Sequence, residues 1–140
     1  MRLTAFTDFG LRALMRMAGE PGRALSTAEL AGEFGISRNH LAKAVAALSA
    51  AGFVETRRGG GGGAVLARSA AQMRLGDIVA VLEQRSALVE CFQADGGACV
   101  VAPACRLKGI LAGGRQRFIE ELNLYTLADC PLPAPREAVR

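Results

Sequence analysis

Three of the four cysteines, Cys91, Cys99 and Cys105, fall in one short stretch with the pattern C-x7-C-x5-C, while Cys130 lies apart. Thiolates are soft donors, suited to iron–sulfur clusters, copper(I) or zinc. Structural zinc sites usually draw on closely paired cysteine knuckles, and this sequence has none. Wide gaps in a Gly- and Ala-rich stretch suit a larger object, because the irons of a cluster lie apart and each thiolate takes one corner. Three unconnected cysteines are the plain alternative, which spacing by itself does not dismiss. The N-terminus reaches an acid at Asp8, too early for the apolar region of a secretory leader. No stretch approaches the ~18 uncharged apolar residues of a membrane span, so no membrane role is expected. The expected compartment is the cytoplasm, where clustered thiols read first as metal ligands or redox groups rather than disulfides.

A second set of residues has the chemistry to read DNA. Ser37, Arg38, Asn39, His40 and Lys43 lie together, and Arg57 and Arg58 precede a run of five glycines, Gly59 to Gly63. An arginine can donate two hydrogen bonds to guanine, an asparagine can pair with adenine, and a lysine one turn on suits a phosphate. His40, the single histidine, could touch DNA, but packing or capping serves equally well. A tip without side chains, at Gly59, Gly62 and Gly63, would let the backbone press against a phosphate or a minor groove. Charge placement agrees with this use. Residues 1–70 hold nine basic groups against five acids, and the remainder is balanced. The whole +4 excess therefore lies in the half assigned to DNA. No nucleophile–base pair suggests an enzyme, and the glycine run lacks a P-loop lysine.

The elements that must position these groups follow from periodicity. A composition of 51% hydrophobic but only 5% aromatic residues, without Trp, favours packed helices. One helix is expected from about Thr4 to Ala18, with Phe6, Phe9, Ala13 and Met17 on one stripe and Leu11, Leu14, Met15 and Ala18 on another. A helix apolar on two sides is normally covered on two sides. Ser26 and Glu29 form a capping box for a second helix. Gly35-Ile36 turns the chain, and Ser37 caps a third helix, Arg38 to about Ala50, that buries Leu41, Ala44, Val45 and Leu48. Strands at 53–57 and 64–67 make a hairpin around the glycines. A short helix follows at 75–83, then a loop over 91–105. A helix of ~36 Å is expected over 106–129, weakened by Gly109, Gly113 and Gly114 and best stabilised by a second copy of itself. The expected fold is mainly α. A winged helix-turn-helix domain occupies 1–84, a cysteine-bearing cluster loop 85–105, a dimerisation helix 106–129 and a disordered tail 130–140, where Cys130 is an incidental thiol.

These segments, in order, resemble the NsrR/IscR-type iron–sulfur winged-helix regulators. The resemblance runs from Leu3 to Asp129. It is carried by residues 3–14 (LTAFTDFGLRAL), 37–43 (SRNHLAK), Arg58-Gly59 with Gly62-Gly63, Leu66-Ala67 and Gly76-Asp77-Ile78-Val79. The three cysteines, Pro103-Ala104-Cys105-Arg106-Leu107-Lys108 and Tyr125-Thr126-Leu127-Ala128-Asp129 complete it. It implies a homodimer crossed through the long helix and bound to a palindromic operator as a repressor. It also implies an iron–sulfur cluster held by Cys91, Cys99 and Cys105, with a carboxylate from the partner subunit's Asp8 on the fourth iron of a [4Fe–4S] centre. The wording is nearest the nitric-oxide-sensing NsrR-type branch. The IscR-like branch has a histidine three residues after the last cysteine, where this chain has Lys108. Asp8 has a simpler reading too, as an acid favoured at a helix start by the macrodipole. The long first gap between cysteines and the five-glycine wing depart from the family pattern. An iron- or redox-responsive [2Fe–2S] member is the alternative regulator. A cluster carrier is the alternative from another class, though a carrier has no use for Arg38, Asn39 and the wing.

Overall fold

Three hydroxyl side chains start the first three helices. In the computed structural model, which describes residues 1–136, Thr4 Oγ1 accepts from the Thr7 N–H (3.2 Å), Ser26 Oγ from Glu29 (3.0 Å) and Ser37 Oγ from His40 (3.4 Å). Each satisfies one of the orphan donors at a helix start. The helices are α1 (Ala5–Gly19), α2 (Thr27–Phe34) and α3 (Arg38–Ala50). Gly35, at φ 64°, ends α2 in the left-handed conformation that only glycine adopts freely. Half of the expected capping box forms. Glu29 does not reach back to Ser26; its carboxylate accepts from Arg23 instead.

The wing is an antiparallel pair, β1 (Val54–Arg57) and β2 (Gly63–Leu66), in register from Val54 opposite Leu66 to Arg57 opposite Gly63. Leu25 exchanges both backbone hydrogen bonds with Ala64 (3.0 and 2.8 Å), which ties the hairpin to the entrance of α2. Helices α4 (Leu75–Leu82) and α5 (Arg106–Leu122) complete the set. Leu14, Met17, Leu30, Leu41, Leu48, Met73 and Ile78 form the centre of one core. The fold is the expected one, mainly helical with a hairpin wing. The stripe of α1 with Leu11 and Met15 is only partly covered.

The C-terminal third departs from expectation. The helix expected over 106–129 stops at Leu122, so it spans 17 residues and about 26 Å. Asn123 ends it by pairing with α4: its Oδ1 accepts from the Asp77 N–H and its Nδ2 donates to Asp77 Oδ1, both at 3.0 Å. A Cβ on Gly76 would stand 2.3 Å from the Ile119 carbonyl oxygen, so the close α4–α5 approach requires glycine there. The chain then bends back. Leu75 N–H donates to the Tyr125 carbonyl, Leu127 N–H donates to the Met73 carbonyl, and Leu127 is wholly buried in a short 3-10 turn, Leu127–Asp129. The apolar spacing that suggested a longer helix was thus partly a core anchor in another conformation.

The tail also needs correction. Residues 130–132 are not a disordered start to a tail. Leu132 N–H donates to the Met15 carbonyl (2.8 Å), and a Cβ on Gly19 would meet the Leu132 carbonyl at 2.0 Å. The segment lies along the end of α1, and glycine at position 19 makes room for it. Cys130 sits partly buried against the core, where burial and Asp129 push its thiol pKa up. The last part of the expected tail, 137–140, lies outside the described residues. Leu127→Ala should lower unfolding stability by about 2–5 kcal/mol in a urea titration, the cost of truncating a core leucine. A change under about 0.5 kcal/mol would be a surface result and would return Leu127 to an exposed helix.

Candidate nucleic-acid interface and cysteine loop

The reading face is set by what α3 buries. Leu41, Ala44, Val45 and Leu48 face the core, which leaves Ser37, Arg38, Asn39, His40 and Lys43 exposed. Among the described residues, no side-chain hydrogen bond or ion pair holds Arg38, Asn39, His40 or Lys43. All four side chains are therefore available at the first turns of the helix. Arg57 and Arg58 are exposed at the wing, as are Gly59 and Gly60 at its tip. The wing glycines are not equivalent. A Cβ on Gly59 would meet nothing, whereas one on Gly62 would stand 2.5 Å from the Arg57 carbonyl and one on Gly63 2.6 Å from Leu25 backbone. Gly62 and Gly63 therefore have a packing reason to be glycine, separate from any approach to DNA.

Cys91, Cys99 and Cys105 are free, partly buried thiols on an irregular segment with two short 3-10 turns, Glu90–Phe92 and Ala102–Ala104. The long first gap is folded back on itself. Gly97 adopts φ 62°, and the Ala98 N–H donates to Glu90 Oε1 (3.0 Å), which joins the neighbours of Cys91 and Cys99 across the turn. Cys105 is the N-cap of α5, and its sulfur makes no capping hydrogen bond. Among the described residues, no three His, Cys, Asp or Glu side chains converge tightly enough to hold a metal within one chain. The donor chemistry nevertheless fits an iron–sulfur cluster: three unpaired thiols on one loop, with no disulfide to break. Asp8 forms no metal-sized cluster with these cysteines in its own chain. It faces outward on α1, about half exposed, bound to Arg12 Nη2 at 2.8 Å.

Sequence reasoning passed over Glu83. It accepts from the Thr4 N–H (2.8 Å), the Thr4 hydroxyl (2.9 Å) and the Thr7 hydroxyl, which ties the end of α4 to the start of α1. A charged residue ending a short helix gives no sign of this in sequence, since its partners lie about eighty positions away. Burial opposes the Glu83 charge, but the hydrogen bonds from Thr7 and Thr4 outweigh it and hold the carboxyl below its usual range.

An exposed recognition helix, its capped partner and a hairpin wing define a winged helix-turn-helix DNA-binding regulator. The chain belongs to the Rrf2 family, whose model, described as iron-dependent transcriptional regulator, matches residues 3–130. It is a transcription regulator and not an enzyme; members of the family bind DNA and are typically dimeric. The structure is similar to IscR of T. potens, with TM-score 0.70, 26% identity, and 92% of this chain and 85% of that one covered. It is also similar to CymR, the global cysteine regulator of B. subtilis, with TM-score 0.69, 26% identity, and 92% and 95% covered. Oxidized CymR of Staphylococcus aureus, at 23% identity and TM-score 0.69 over 91% of this chain and 94% of that one, shares the fold. No helix among the described residues is long and apolar enough to cross a membrane.

The Glu83 link has a pH signature. A carboxyl whose folded pKa is depressed stabilises the fold fully above its unfolded pKa, and that contribution is lost as pH falls through the folded value. Glu83→Gln should remove part of the acid-side loss of stability and leave the neutral-to-basic slope unchanged. Identical acid-side slopes for the two proteins, measured by denaturant unfolding at stepped pH, would mean that Glu83 is no more ionised by folding than by water.

Proposed function

We propose that this chain is a cytoplasmic, homodimeric repressor that binds a palindromic operator and senses nitric oxide through an iron–sulfur cluster. The observation that carries the reading is the pairing, in one chain, of an unpartnered α3 N-terminus with a loop of three free cysteines leading into α5. Cys91, Cys99 and Cys105 would hold the cluster, and the partner subunit's Asp8 would complete a [4Fe–4S] centre. When bound, the group supplies an iron held by an exchangeable oxygen ligand and open to nitric oxide. Lys108 in place of a histidine supports this branch over an IscR-like one.

The remaining roles fall to the protein. Arg38 and Asn39 would read base edges while Lys43 and Ser37 contact phosphates, with His40 beside them. Arg57, Arg58 and the wing backbone at Gly59, Gly62 and Gly63 would follow the neighbouring groove. Helix α5 buries no residue in its own chain, and Leu107 and Ile110 are exposed on it, which supports pairing with a second copy. Symmetric half-sites demand a fixed spacing between two α3 helices, so a small rotation of one subunit against the other would abolish operator affinity. An iron- or redox-responsive [2Fe–2S] regulator is the second reading, favoured by the likeness to T. potens IscR.

Two experiments test this. After anaerobic reconstitution, alanine at Cys91, Cys99 or Cys105 should each abolish the visible chromophore, and Cys130→Ala should keep it. Asp8→Ala should keep the colour but alter the spectrum and the rate of the first nitric oxide step. Colour lost only in the Cys130 variant, or Asp8→Ala kinetics equal to wild type, would refute the respective ligand. In DNA titrations, Arg38→Ala should lose discrimination between selected and random duplexes by about 1–3 kcal/mol. Arg57→Ala should weaken both duplexes alike and reduce the salt slope by about one unit. Equal losses on both duplexes for Arg38→Ala would reduce Arg38 to a phosphate contact.

A further inference from the structure

Among the described residues Arg16 is the largest fully buried side chain, only 1% exposed, and it carries a charge. It projects from α1 onto the last turn of α2, where its guanidinium forks onto Glu33: Nε to Oε2 at 2.9 Å and Nη2 to Oε1 at 3.3 Å. The remaining nitrogen, Nη1, stands 2.6 Å from Glu20 Oε2, an ion pair without hydrogen-bond alignment. Glu20 in turn binds Arg23, and Arg23 binds Glu29 in the first turn of α2. The two arginines thus hold α2 at both ends. Arg23 is exposed, and solvent weakens what such pairs contribute. Arg16 is not screened in that way.

A buried charge pair is a poor means of stabilising a fold, since apolar residues of similar volume often do as well or better. A fork onto a carboxylate does something apolar contacts cannot, because it accepts one planar geometry and few others. Position matters at this point in the molecule. α1 packs directly on α3 and α4, while close backbone approaches between α1 and α2 are few. α2 and α3 pack on one another and are linked through Gly35, Ile36 and Ser37, so a tilt of α2 is passed to the first turn of α3, where Arg38 and Asn39 stand.

We propose that Arg16 is a positioning residue for DNA specificity: through Glu33 it fixes α2, and with it the base-reading turn of α3, against α1. The role rests on the DNA-reading function proposed above. It also places a rigid link between α1, whose outer side carries Asp8, and the reading head. A charge that only held the core together would affect all DNA sequences alike through the folded fraction. A positioning residue changes the ratio between sequences.

The test uses the full chain, a duplex enriched by the wild-type protein from a random-sequence pool, and a scrambled duplex of equal length. Arg16→Lys keeps the charge and loses the fork. It should lower the selected-to-scrambled affinity ratio about tenfold, with scrambled binding held within about twofold. The apolar pair Arg16→Met with Glu33→Leu should keep the wild-type unfolding midpoint and still lose discrimination. Should that double variant fail to fold, Glu33→Gln, which keeps the shape and one acceptor, should lower the ratio in its place. Folded variants that discriminate as wild type does would overturn the proposal and leave Arg16 a core charge. A wild-type chain that enriches no sequence would instead remove the DNA-reading function, and this role with it.

Discussion

The molecule depends on the burial of α1 among elements from every later part of the chain. Leu14 and Met17 face the centre with α3, Gly10 lies so close to α4 that a Cβ would touch Leu82, and residues 130–132 run along its last turn. Glu83 closes the opposite end by bonding to Thr4 and Thr7. Most of these partners lie in α3 and α4, and residues 127–132 complete the cover of α1, so the helix-turn-helix and the root of the cysteine loop stand on one core. The partly covered Leu11 and Met15 leave α1 a second side, which is where Asp8 and Arg12 project.

This arrangement ties the chemistry of two distant segments to one rigid body. The cysteine loop begins a few residues after Glu83 and ends at Cys105, the N-cap of α5, whose far end is clamped to α4 by Asp77 and Asn123. The loop thus follows α4 directly and continues into α5, and its interior is held by turns and by the bond between Glu90 and Ala98. On the other side of the core, α3 is fixed through α1 by packing and through α2 by Arg16. A change at the loop that shifts one subunit against another would move whole reading heads rather than single side chains.

The helices, the wing and the exposure of the polar residues that open α3 were legible because local rules decide them. Caps at Thr4, Ser26 and Ser37, the turn at Gly35 and the alternation of buried and exposed positions in α3 are all written in neighbouring residues. The cysteine pattern was legible as donor chemistry, but its geometry was not. The turn at Gly97 that shortens the first gap depends on a carboxylate several residues away. The end of α5 and the course of residues 123–132 were misread because apolar spacing continued past Leu122. What ends the helix is Asn123 pairing with Asp77, forty-six positions earlier. Arg16 and Glu83 were invisible for the same reason, since a charged residue at a helical position signals solvent unless its distant partners are known.

In the proposed regulator the cysteine loop controls the spacing of two DNA-reading heads. The most direct measurement is operator affinity of the anaerobically reconstituted protein, followed together with its native mass spectrum as nitric oxide is added in small steps. A dimer carrying one cluster per chain should bind its selected duplex tightly. Affinity should fall in step with the first nitric oxide adducts while the dimer mass persists. A cluster-loaded dimer whose operator affinity is unchanged by those adducts, or a cluster-free chain that binds equally well, would contradict it.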